Sequence, residues 1–342
     1  MTGKRHRDFD QKFVRHTEME PDDIAYLLEA RRPSSDFPYE HKFIDVDGVK
    51  TAYIDEGEGD PIVFIHGAPE SSYIWRNIMP FLQPYGRVIA PDLIGHGLTG
   101  KPDVDYAFPD YVKHIDGFFE AMNLKNMTFV IHDWGTVIGL NYAARHPDNV
   151  RGLAMMEALC APFYPIKNPE EAKKRKGKAG AIHHYELYKT DAGWDLAVNQ
   201  NLFIEQVLML HAHTKLSQRA YDTYRDPFRK AEWRKPLFMW AREVGLGGDV
   251  PHTDEAMERY NKWLLEKEIP TLDVYVAPGE VSEEYDVRWR VERMKNHEAT
   301  YVGIGLHFIQ EDQPEAAGRA IADWYRRNLA RDSNVWYTDA QP

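Results

Sequence analysis

Residues 129–135 read Phe129-Val130-Ile131-His132-Asp133-Trp134-Gly135, an apolar run that meets an acid and then the smallest residue. Four apolar or aromatic-like positions before Asp133 suit a buried strand, and the residues from Thr136 onward suit a helix. A strand that turns sharply into a helix can push the side chain at the turn out into a pocket, and Gly135 supplies the small residue such a turn requires. Ile131 stands where the usual form of this turn has its first glycine. Two readings of Asp133 are open at this point: a nucleophile at a strained elbow, or an ordinary N-cap of the helix that begins at Thr136.

Working outward, strand-like runs occupy 43–49, 51–57, 61–67, 87–93, 127–133, 152–158, 271–279 and 300–306. Helical patterns lie at 71–82, 106–124, 136–145 and 315–329. The later strands are continuously apolar, as expected where a parallel sheet is covered on both faces. The alternation predicts an α/β domain with a doubly wound, mostly parallel eight-stranded sheet. One interval breaks the rhythm: 159–267 is dominated by helical patterns, and a structureless loop of that length is rare in a compact domain. It reads as a helical cap over the strand ends, where open α/β sheets place ligands. The expected division is an arm at 1–36 with a short helix at 22–31, a core at 37–158 and 268–342, and a mainly helical cap at 159–267.

Of the 342 residues, 43% are hydrophobic and the net charge is −12. That surplus of negative charge argues against a nucleic-acid partner, which needs a basic surface. The basic cluster Lys173, Lys174, Arg175, Lys176 and Lys178 is expected to be a solvated loop. No apolar run is long enough to span a bilayer, and MTGKRHRDFD carries no apolar stretch of the secretory kind. With Cys160 as the lone cysteine, internal disulfides are excluded. The expectation is a cytoplasmic monomer or small homo-oligomer with no membrane association, no cofactor and no metal site.

An Asp at the elbow changes which chemistry is possible. A carboxylate that displaces a leaving group from saturated carbon forms an alkyl ester, which water can cleave at the enzyme's own carbonyl carbon to regenerate the acid. A serine would leave an ether that activated water could not open. His307, in Gly303-Ile304-Gly305-Leu306-His307-Phe308 after the last strand, follows the chain order nucleophile, acid, histidine and can take a proton from water near neutral pH. The acid that orients it is Glu157, which closes Met155-Met156, or Glu280, which follows Ala277-Pro278-Gly279. Burying a Glu at the end of so apolar a run is costly without a partner, which favours Glu157. His66-Gly67-Ala68-Pro69 follows the strand at 61–67, and its backbone, with the N–H of Trp134, can form an oxyanion hole.

Taken together, HGAPESSYIWRNIMP (66–80), PDLIGHGLTGKPDVDY (91–106), VIHDWGTVIGLNYAARHPDNVRGLAMMEA (130–158), NLFIEQVL (201–208) and LHFIQEDQPE (306–315) resemble the haloalkane dehalogenase family of the α/β-hydrolase fold, which includes the coelenterazine-using luciferase. The resemblance runs from about Phe37 to Ala330. It implies Asp133 as nucleophile, His307 as base, Trp134 as a donor to the departing halide and a small apolar organic substrate. Glu157 matches the acid position of the larger subgroup; Glu280 lies near that of the other. Departures fall in the halide site. Ala68 replaces an Asn whose amide holds the halide, Ala212 lines up about where the smaller subgroup has a cap Trp, and Trp240-Ala241-Arg242-Glu243 lacks the family's proline. Competing functions are an epoxide hydrolase using cap tyrosines among Tyr164, Tyr185, Tyr188, Tyr221 and Tyr224, a luciferase-like oxygenase, and a non-catalytic ligand receptor.

Overall fold

A computed structural model describes residues 33–175 and 177–330. The short helix expected at 22–31 and Lys176 lie outside the described residues. The strands are β1 Lys42–Val46, β2 Val49–Glu56, β3 Pro61–Ile65, β4 Arg87–Pro91, β5 Met127–His132, β6 Val150–Met156, β7 Thr271–Pro278 and β8 His297–Gly305. They form one sheet in the order β1-β2-β4-β3-β5-β6-β7-β8. β1–β2 and β2–β4 pair antiparallel, and all the other neighbours run parallel. The helices of eight or more residues are α1 Phe108–Ala121, α2 Trp134–Arg145, α3 Lys178–Tyr188, α4 Gln218–Arg225, α5 Lys235–Arg242, α6 Pro251–Glu266, α7 Glu284–Arg293 and α8 Pro314–Asn328.

Successive side chains of a strand point to opposite faces, and each central strand divides its residues between two apolar layers. Val63 and Ile65, Phe129 and Ile131, and Leu153 and Met155 join the layer under α1, α2 and α6. Phe64, Val130, Ala154 and Met156 join the layer under α8 and the turn Ser72–Trp75. A strand buried on both sides must be apolar at every position, which is why β5 is buried throughout its length. α6, although it comes late in the 159–267 interval, packs Ala256, Met257, Tyr260 and Trp263 into the same layer as α1 and α2. A separate apolar cluster with Tyr188, Phe203, Phe228, Leu237 and Phe238 holds the preceding helices together over the carboxyl ends of the strands.

Two expectations are corrected. The helix expected over 71–82 is a 3₁₀ turn at Ser72–Trp75 followed by a short helix at Met79–Leu82. Pro80 lacks an N–H, so it fits the first turn of a new helix and not the interior of an old one. The basic cluster is not a solvated loop. Lys173 and Lys174 end a short helix, Pro169–Lys174, and pair with Glu170, Glu186 and Glu171. Arg175 reaches Asp286. Lys178 is buried, with its ammonium 3.0 and 2.9 Å from the carbonyls of Glu280 and Val281. Acceptors supplied by the loop after β7 draw Lys178 inward, while Lys174 stays exposed on its helix. Among the described residues, no helix is long and apolar enough to cross a membrane.

Candidate active site

Asp133 stands between the last residue of β5 and the first of α2, with φ 49° and ψ −127°. Holding a non-glycine residue at positive φ costs about 1–3 kcal/mol, and the neighbouring glycines show what sustains it. A Cβ at Gly135 would fall 2.0 Å from the carbonyl oxygen of Ile65, and one at Gly67 would fall 2.2 Å from Oδ2 of Asp133. Only glycine lets the elbow close against β3 and its following loop. The side chain of Asp133 caps no N–H of α2; its Oδ2 accepts from the backbone N–H of Ala68 at 3.0 Å.

His307 follows β8, and its N–H and that of Phe308 donate to the carbonyl of His211 at 3.0 and 3.2 Å. Its Nε2 lies 3.7 Å from Oδ1 of Asp133, and its Nδ1 lies 3.3 Å from Oε2 of Glu157. Glu157 is itself at positive φ, 45°, just past β6. The same Oε2 accepts the backbone N–H groups of Glu280 and Val281 at 3.0 and 2.6 Å. Those donors satisfy a buried carboxylate that would otherwise be too costly to keep charged. Glu280 offers Glu157 its backbone, while its own carboxylate contacts Nδ1 of His211. Of the two candidate acids, the one beside His307 is therefore Glu157.

Burial raises the pKa of Asp133, against the pull of the nearby His307 and His132. For His307 burial works downward, but the hydrogen bond to Glu157 and the charges of Asp133, Glu157 and Glu280 outweigh it and push the imidazole up to about 10. His307 therefore rests as the imidazolium between the side chains of Asp133 and Glu157.

A cavity of about 1100 Å³ opens above the elbow, with Asp133, His307, Trp134 and Ala68 in its wall. Trp240 also lines it, its ring centroid 4.7 Å from that of Trp134. The indole N–H of Trp240 already donates to Nε2 of His96 at 2.9 Å, and Ala68 has no side-chain donor. His211 reaches the cavity; Ala212 packs instead against the apolar layer that includes β8 and α8. Tyr164 and Tyr185 both line the cavity, with their hydroxyl oxygens 3.0 Å apart. Of the other three tyrosines weighed in the sequence, Tyr224 donates to Glu311, Tyr221 donates to Glu205, and Tyr188 lies buried in the cap cluster.

Sequence reading missed a buried pair beneath the site. Glu70 accepts the N–H of Gly67 at 2.9 Å through Oε2, and its Oε1 lies 2.9 Å from Nδ1 of His132. Nε2 of His132 is 2.9 Å from the carbonyl of His307. A carbonyl only accepts, so Nε2 carries the hydrogen of that contact. This series ties the Ala68 loop to the backbone of His307. The signal was present as two ionisable residues inside motifs, Glu70 after HGAP and His132 before Asp133. Glu70, His132 and His307 bring ligand-type atoms within 4.8 Å of one another; the contacts just described already engage those groups with one another and with Glu157.

A family model described as alpha/beta hydrolase fold matches residues 60–277. A haloalkane dehalogenase of Sphingobium indicum is 37% identical over 300 residues, 84% of this chain and 96% of the relative. One of Mesorhizobium japonicum is 36% identical over 275 residues, 80% of this chain and 87% of the relative. The crystal structure of a haloalkane dehalogenase from Bradyrhizobium elkani superposes with a TM-score of 0.80 at 33% identity, covering 84% of this chain and 98% of that one.

Proposed function

Since the chain belongs to the haloalkane dehalogenase family of the α/β-hydrolase fold and is a dehalogenase-like hydrolase, we propose that Asp133 is its nucleophile, His307 its base and Glu157 the acid that orients the base. The observation that carries this reading is the continuous series from the Ala68 N–H through Asp133 and His307 to Glu157. Oδ2 of Asp133 is held by Ala68, which leaves Oδ1 to attack. As the Oδ1–carbon bond forms, the carbon–halogen bond breaks and the halide leaves toward the indole N–H of Trp134. Alkylation removes the charge of Asp133, one of the causes that keep His307 protonated, so the imidazole becomes available as a base when it is needed. His307 then takes a proton from water, hydroxide adds to the ester carbon, and the negative charge on Oδ2 meets the N–H groups of Ala68 and Trp134. Collapse of this adduct releases the alcohol and restores the carboxylate.

Apolar walls that include Leu159, Phe203, Val207 and Phe308 suit a small apolar halogenated substrate. The helices between β6 and α6 serve in this reading as the cap, with α6 belonging to the core. A buried, unpaired Cys160 fits a reducing compartment, and cytoplasmic residence as a monomer or small homo-oligomer belongs to the same proposal. The test is exposure of the His307→Phe protein to 1,2-dibromoethane, followed by intact mass measurement. One added bromoethyl group is expected, absent when Asp133→Ala is also introduced. A His307→Phe protein that keeps turning over without an adduct would remove His307 from this role.

A further inference from the structure

Halide release asks for donors but for no proton, and the donors here are few: Ala68 has no side-chain donor and the indole N–H of Trp240 is engaged by His96. The cavity does contain a different kind of donor. Tyr164, between β6 and α3, and Tyr185, on α3, have their hydroxyl oxygens 3.0 Å apart. Each hydroxyl carries one hydrogen, and one of the two suffices for the contact between them. Among the described residues, neither hydroxyl has another hydrogen-bond partner, so the second hydrogen is free to point elsewhere. A phenol that accepts a hydrogen bond from a second phenol is itself the better donor.

Position matters as much as chemistry. Asp133 rises from the strand ends, and both tyrosines come from the cap segment and line the same cavity. In-line displacement puts the leaving atom on the far side of the attacked carbon, which is the cap side. Burial holds both phenols in their protonated form, helped by the charge of Asp133. A proton donor opposite a carboxylate nucleophile suits a leaving atom that departs as a strong base and stays tethered to the carbon skeleton, which a halide is not.

We propose that this cavity also opens epoxides, with the Tyr164–Tyr185 pair giving a proton to the ring oxygen as Asp133 attacks the ring carbon. The inference rests on the roles proposed above for Asp133 and His307. In the first step the Oδ1–carbon bond forms, the ring carbon–oxygen bond breaks, and the oxygen takes a hydrogen from the tyrosine pair, leaving a phenolate. With the charge of Asp133 gone, the His307 imidazolium gives up its proton, which restores the phenol. In the second step, His307 takes a proton from water, hydroxide adds to the ester carbonyl carbon, and the adduct collapses to a carboxylic acid and an alkoxide. The acid's proton passes to the alkoxide, which leaves the carboxylate beside the imidazolium. Epoxide plus water becomes a vicinal diol.

The full-length protein would be given styrene oxide and, in parallel, 1,2-dibromoethane, with diol and bromide measured. Diol formation is expected from the wild type and not from Asp133→Ala. Tyr164→Phe and Tyr185→Phe together should lower the ratio of diol to bromide formation by about a hundredfold, the usual scale of a lost general acid. Bromide release by the same variant reports that it is folded. Wild-type protein that releases bromide and makes no diol overturns this inference and leaves the dehalogenase reading intact. A doubly substituted protein with an unchanged ratio also overturns it, because the pair would then act only as packing. If neither bromide nor diol forms, the roles of Asp133 and His307 fall with it.

Discussion

Glu157 and Glu280 show how far one atom's surroundings separate two like residues. Both sit at the end of a strand, yet one carboxylate collects His307 and two backbone N–H groups while the other turns to His211. Glu157→Gln is expected to lower kcat/KM on the order of a thousandfold, because an amide can neither hold the required tautomer nor stabilise the imidazolium. Glu280→Gln keeps its backbone N–H on Glu157 and should cost far less. Steady-state bromide release by the two variants decides it, and the opposite ranking would move the acid to the loop after β7. At Ala68 the expectation has the other sign. With Trp134 as the proposed halide donor and no amide opposite it, turnover should be poor, and slowest for chlorides because chloride leaves least readily. Ala68→Asn should raise bromoalkane turnover by up to about a hundredfold, the usual worth of one donor in a preorganised site. Brisk dechlorination by the wild type, slowed by Ala68→Asn, would mean that a second halide ligand is already in place.

At the scale of elements, the elbow is a contact between two strands as much as a turn within one. Asp133 keeps its positive φ because α2 starts hard against the end of β3, at a distance only glycine permits. Gly135→Ala would drive a methyl group into the backbone carbonyl of Ile65, with no flexible side chain to give way. A loss of about 3 kcal/mol or more is expected from such overpacking, read as a lower urea midpoint, together with loss of activity from displacement of Asp133. A Gly135→Ala protein of normal stability and activity would show that β3 and α2 can separate without disturbing the nucleophile. The cap is fastened by a comparable device. The buried ammonium of Lys178 on α3 holds the carbonyls of Glu280 and Val281, and the N–H groups of those two residues hold Glu157. Cap placement and acid placement are therefore one structure.

Over the whole molecule, a buried ion pair joins four parts distant in sequence. Arg76, after the turn Ser72–Trp75, makes two hydrogen bonds of 2.6 and 2.8 Å to Glu311, four residues beyond His307. Tyr224 on α4 of the cap donates to the same carboxylate at 2.5 Å, and Arg76 also reaches the carbonyl of Ser34 at 2.8 Å. Both charged side chains are 1% exposed. Removing one member of such a pair leaves the other charge buried and uncompensated, at a cost of about 3–5 kcal/mol. Arg76→Leu is expected to lower stability by that amount in denaturant unfolding. Because the same contacts steady the segment that carries His307, kcat should fall as well. Loss of stability with full activity would show that the ion pair holds the fold without reaching the site.

Much of this was legible along the chain. The strand positions, the parallel sheet, the helical insertion, Asp133 at its strand–helix junction and His307 after the last strand all follow from apolar periodicity and from which residue types tolerate a sharp turn, both local properties. Glu157 was favoured for an energetic reason, that an acid ending so apolar a strand needs a partner. The partners themselves were not legible, because they come from residues 123 and 124 positions further on. Nor were the burial of Lys178, the Glu70–His132 pair under Asp133, or the choice of Tyr164 and Tyr185 from five cap tyrosines. A titratable or phenolic side chain reads the same in a sequence whether it is solvated, paired or aimed into a cavity. Its surroundings, set by strands and helices that meet only in three dimensions, decide whether it stays charged, where its hydrogen points and what it can do.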